Sequence, residues 1–187
     1  MAMAGTFLAD IAANAANRAI LARWPRLGLP DGWLVAGCLF QTIWNVRSGR
    51  PPGQDIKDYD LFYFDASDLS QAAEAQVQRH AEAVLGDLGL TLEVANQARV
   101  HLWYPAHFGQ PYDPLASAED GIRRFLVTET CVAVRPDECH APYGLAGVYA
   151  GTLTPNPLVP HADLFARKVA SYRRRWPWLT LTAAAGV

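Results

Sequence analysis

The run Asp58-Tyr59-Asp60-Leu61-Phe62-Tyr63-Phe64 limits what this chain can fold into more than any other segment. Its aromatic and aliphatic content predicts a strand, and a side-chain period of two then puts Asp58 and Asp60 on one face. Two carboxylates sharing a strand face can hold a hard divalent cation, which takes oxygen ligands and bridges to phosphate. The preceding Ser48-Gly49-Arg50-Pro51-Pro52-Gly53 is dense in turn formers and reads as the loop that delivers the chain into this strand.

Upstream, Trp33-Leu34-Val35-Ala36 follows an Asp31-Gly32 turn signal and reads as a buried strand, broken at Gly37. Cys38 to Arg47 then carries apolar groups at helical spacing, so a helix starts just after the glycine. Such a helix start presents unpaired N–H groups and a positive dipole end to an anion such as phosphate. The N-terminal stretch from Thr6 to Trp24 reads as one helix capped by Thr6 and stopped by Pro25, Gly28 and Pro30.

Downstream, Asp68 or Ser70 caps a helix to about Leu88, which Gly89 closes. Leu90 to Val94 reads as a third strand carrying Glu93. Val100 to Tyr104 reads as a fourth, with Arg99 and His101 on one face. Ser117 opens an acidic helix start, Thr130 to Val134 reads as a further strand, and a helix runs from Asp163 to near Trp176-Pro177. Trp44 and Trp103, with apolar neighbours, are expected in the core. The sum is an α/β chain of the α+β type, a mixed sheet flanked by helices. It reads as one domain over 1–187, with a helical N-terminus 1–30, a core over about 31–136 and a C-terminal extension 137–187.

A formal net charge of −2 argues against the basic footprint that backbone binding to long nucleic acid leaves on a domain. The one dense basic run, Arg173-Arg174-Arg175, reads as a solvated helix face. Cys38, Cys131 and Cys139 show no C-x-x-C pairing, which fits a reducing cytoplasm better than a disulfide framework. There is no secretion-signal pattern, and no apolar run approaches the roughly 20 residues of a spanning helix, so no membrane partner is expected.

The stretches Ala36-Gly37-Cys38, Trp44-Asn45, Asp55-Ile56-Lys57-Asp58-Tyr59-Asp60-Leu61 and Glu93 through Tyr104 together resemble a bacterial family of nucleotidyltransferase-like proteins of undefined substrate. That family looks like a branch of the DNA polymerase beta superfamily. The resemblance spans about Leu34 to Val134. It implies a nucleotidyltransferase-like fold, with Asp58, Asp60 and Glu93 placed to hold Mg²⁺ or Mn²⁺ and Glu93, the third carboxylate, near an acceptor hydroxyl. The superfamily places Gly-Ser or Gly-Gly at the turn. Here Cys38 replaces the residue that touches phosphate, and the gap to Asp58 is longer.

The function expected from this resemblance is transfer of a nucleoside monophosphate from a nucleoside triphosphate to a hydroxyl on a small molecule or a protein. Gly37, Cys38, Arg47, Lys57, Arg99 and His101 are the candidates for holding the nucleotide, with Arg50 beside them. Arg99 and His101 fit a structural pairing with a carboxylate equally well. The departure at Cys38 keeps a second reading open, a nucleotide-sensing or antitoxin-like interaction module on the same fold.

Overall fold

The computed structural model describes residues 2–182. Its centre is a five-stranded mixed sheet of order β3-β2-β1-β4-β5, formed by β1 (Trp33–Val35), β2 (Tyr59–Tyr63), β3 (Leu92–Asn96), β4 (Ala133–Arg135) and β5 (Glu138–His140). Strand β1 runs antiparallel to both β2 and β4, whereas β2 and β3 are parallel. The parallel pair needs a crossover, which is α5 (Gln71–Leu85), capped by the Ser70 hydroxyl accepting from the Ala73 amide.

One face of the sheet, with Leu34, Tyr59, Leu61, Leu92, Val94 and Val134, is buried in the main core. That core also takes α1 (Ala2–Ile11), α4 (Gly37–Arg47) and α9 (Ala162–Arg175). Trp44 lies inside it as expected, its indole donating to the Val148 carbonyl. The opposite face carries a smaller cluster of Trp33, Val35 and Ala133 against α7 (Ala118–Ile122). Phe62, Phe64 and Phe125 pack against that cluster, and the same face carries Asp60 and Glu93.

Several expectations are corrected by the fold. The single N-terminal helix is three, because the Asn14 side chain accepts from the Ala16 amide and starts α2 (Ala15–Ala22) afresh, followed by α3 (Trp24–Leu27). Thr6 lies within α1 and is not its cap. The fourth strand is a helix: Asn96 accepts from the Ala98 amide, starting a 3-10 turn at Gln97–Arg99 that continues into α6 (Val100–Phe108). On that helix Trp103 is 42% exposed, so it is not core.

The Thr130–Val134 strand is displaced to β4 by a 3-10 turn over Thr128–Thr130. Strand β5 and the short α8 (Ala146–Ala150) follow β4, and β6 (Thr152–Leu153) pairs in parallel with β7 (Thr180–Leu181) in a separate two-stranded sheet. Among the described residues no helix is long and apolar enough to cross a membrane.

Candidate active site

Strand registry builds the site. Val35 pairs with both Ala133 and Asp60, and Asp60 pairs with Glu93, so Ala133, Val35, Asp60 and Glu93 form a row across one face of the sheet. Asp58 lies two residues before Asp60, just outside the first residue of β2. All three carboxylates line one cavity of about 790 Å³. Their charges are felt at Asp60, whose pKa is pushed up to about 7 by burial first, then by Asp58 and Glu93, with Lys168 acting against them.

The strand-to-helix turn forms the floor. Ala36 adopts φ 52°, ψ −109°, a conformation a non-glycine residue rarely takes, and its amide donates to the Val132 carbonyl at 2.9 Å. The backbone thereby turns sharply and Gly37 opens α4. A Cβ at Gly37 would stand 3.0 Å from Gln41 Nε2 and 3.9 Å from Asp58 Oδ1, so glycine keeps the helix start close to the carboxylates.

The candidate nucleotide-holding residues divide. Gly37 and Lys57 line the cavity, whereas Cys38, Arg47, Arg50, Arg99 and His101 are not among its lining residues. Cys38 turns into the core, and burial pushes its thiol well above the ordinary range. Its carbonyl accepts from Thr42 Oγ1 and Asn17 Nδ2. Arg47 is exposed and lies over the Trp178 ring at 4.4 Å. Arg99 is ion-paired to Glu74 and donates to the Leu69 carbonyl, which is the structural pairing and not the ligand-facing one. His101 sits on α6, not on a strand.

The cavity has a further wall that sequence reading missed. Lys168, Ser171, Arg174 and Arg175 of α9 line the cavity. Arg175 donates to Gln41 Oε1 at 2.8 Å and to the Asp55 carbonyl at 3.4 Å, with its guanidinium 4.3 Å from the Trp176 ring. The available signal was the spacing of Leu164, Lys168, Ser171 and Arg175, which is one helix face. The Arg173-Arg174-Arg175 run is therefore not wholly a solvated face. Asn45 ties the approach loop to this wall, donating to the Pro52 and Gln54 carbonyls and accepting from the Trp176 indole at 3.0 Å.

A third stretch of lining is aromatic: Tyr104 and Phe108 from α6, with Phe125 and the side chain of Arg124. Asn156 fixes the 123–126 segment by donating to the Arg123 and Phe125 carbonyls, and its own amide donates to the Leu126 carbonyl.

Among the described residues no group of three or more His, Cys, Asp or Glu side chains is drawn round a single point as a metal-ion site would be. The carboxylates nevertheless crowd one another enough to shift Asp60. Their oxygen donors fit a magnesium-type cation, which takes one or two carboxylates and fills its remaining positions with phosphate and water. Asp58 and Asp60 have the right chemistry, and Glu93 is their neighbour on the next strand.

Comparison with known proteins gives three results. No curated protein matches the chain. A solved NMR structure, described as revealing a CCA-adding enzyme head domain, matches with a TM-score of 0.71 over 89% of each chain at 24% identity, which establishes a shared fold. Residues 22–181 match a family described as Nucleotidyltransferase, a span that holds the turn, the Asp-x-Asp strand, Glu93 and the basic face of α9. The chain belongs to this nucleotidyltransferase family.

Proposed function

We propose that the protein transfers a nucleoside monophosphate from a metal-bound nucleoside triphosphate to an acceptor hydroxyl, releasing pyrophosphate. One observation carries the reading: a single cavity sets Asp58, Asp60 and Glu93 against Lys57, Lys168, Arg174 and Arg175. A metal–triphosphate presents the complementary charges, a cation to the carboxylates and phosphate oxygens to the basic side chains.

Asp58 and Asp60 hold Mg²⁺ or Mn²⁺, which when bound supplies Lewis acidity to the phosphate oxygens. Lys168 and Arg175 steady the triphosphate from α9. Glu93 takes the proton of the acceptor hydroxyl as its oxygen bonds to the α-phosphorus, and the α–β bridging oxygen departs with pyrophosphate. The acceptor is a small molecule or a protein side chain, in keeping with a net charge of −2.

The test is thermal stabilisation by each of the four triphosphates with and without Mn²⁺, run beside a pyrophosphate-release assay. Metal and nucleotide together should raise Tm by more than the sum of their separate effects, and Asp58→Asn with Asp60→Asn should remove the excess. No excess with any of the four nucleotides overturns the reading. Synergy without pyrophosphate release, across a panel of acceptors, replaces transfer with nucleotide sensing.

A further inference from the structure

The carboxylates and α9 account for the charged part of the cavity and leave its aromatic part without a role. There Tyr104 lies 4.6 Å from Phe108 and 4.3 Å from Tyr112, ring centroid to ring centroid. The Arg124 guanidinium lies 5.3 Å from the Tyr112 ring, and its Nε is buried without a hydrogen-bond partner. Phe108 remains 40% exposed although it lines the cavity, and Phe125 packs at 5.7 Å from Phe62 of β2.

Apolar rings left open to a cavity, beside a cation with an unused donor, form a platform for a flat ring that has acceptor atoms on its edge. A smaller hollow of about 260 Å³ shares Tyr104, Arg124 and Val159 with the main cavity and continues past Tyr112 and His161, so the platform is not a blind wall.

Resting on the transfer reading above, we infer that Tyr104, Phe108 and Arg124 bind the nucleobase of the triphosphate, the two rings by stacking and the guanidinium, which lines the same cavity, by its terminal N–H groups. The occupant follows from continuity. The same cavity holds the polyanion site, and a nucleotide is the ligand that joins a polyphosphate to a planar heteroaromatic ring. Stacking accepts any base because each has a π-face, so the platform supplies affinity and Arg124 supplies what preference there is.

The experiment compares binding of a nucleoside triphosphate with binding of inorganic tripolyphosphate, both with Mn²⁺, in the full chain and in Tyr104→Ala, Phe108→Ala and Tyr104→Phe. The nucleotide should bind about tenfold or more tighter than tripolyphosphate. Each alanine variant should lose most of that advantage while tripolyphosphate binding stays unchanged, and Tyr104→Phe should keep it. Retained tripolyphosphate affinity also shows that a variant is folded.

Equal binding of the two ligands by the unaltered protein overturns the base platform and leaves the transfer reading standing. So does a parallel loss of both ligands in the alanine variants. Failure to bind either ligand overturns the transfer reading, and the platform with it.

Discussion

The sheet wall and the α9 wall line one cavity, yet they are held in different ways. Asp60 sits in β2 with β1 and β3 hydrogen-bonded on either side, so its direction is set by the ladder. Lys168 and Arg174 are exposed long side chains, and only Arg175 is pinned, by Gln41 and the Asp55 carbonyl. The acidic wall is therefore pre-arranged at an electrostatic cost, while Lys168 and Arg174 of the basic wall are exposed and screened by salt. Geometry that a reaction depends on belongs on the first, and general attraction for a polyanion belongs on the second.

Neutralising the acidic wall should do the most damage. Asp58→Asn with Asp60→Asn is expected to lower transfer by about a thousandfold, since Lewis-acid stabilisation is worth several kcal/mol. A double variant with more than a tenth of full activity would break the contrast. Glu93→Gln comes next, with transfer lower by about a hundredfold and triphosphate affinity nearly unchanged, as loss of a general base should give. Equal loss of binding and turnover would make Glu93 a metal ligand.

The cost of the acidic wall is measurable without substrate. Asp60 has an ordinary pKa of 3.8, raised to about 7 in the fold, so between these values the native state holds a proton the unfolded chain has lost. The contribution of Asp60 to stability in chelator should be fully present below about pH 4 and be lost as pH rises through 7. Allowing for partial screening, the fall is about 2 kcal/mol. Asp60→Asn should flatten this slope, as should Mn²⁺; a slope that survives the substitution assigns the cost elsewhere.

Smallest is the effect on the basic wall. Lys168→Ala is expected to raise KM by about tenfold with little change in kcat, and less at high salt. A fall in kcat larger than the rise in KM would put Lys168 among the groups that act in the transition state.

The same contrast explains what could be read from sequence. A two-residue period was enough to set Asp58 and Asp60 on one strand face, and β1, α4, β2 and α5 followed from local patterning, whereas Glu93 was singled out by the family resemblance and its pairing with Asp60 came only with the fold. The basic wall was not legible, because Arg175 meets Gln41 across 134 residues and charge runs carry no address. Helix α6 was misread because Val100-His101-Leu102-Trp103-Tyr104 has strand-forming residues, while the deciding hydrogen bond comes from Asn96 upstream. Cys38 looked like part of the phosphate turn, but Ala36 takes the unusual backbone conformation and directs the thiol inward.

The position of α9 in the chain bears on how the protein is made. During synthesis residues 58–93 leave the ribosome before residues 168–175, so β2 and β3 can pair while Lys168 and Arg175 are still unavailable. A nascent chain passes through an interval in which three carboxylates gather with Lys57 present but without the cations of α9. In that interval Asp60 stays wetter and bears less of the cost of burial, and the pocket has a floor with no roof. Helix α9 emerges after the carboxylate strands and brings Lys168, Arg174 and Arg175 to the cavity.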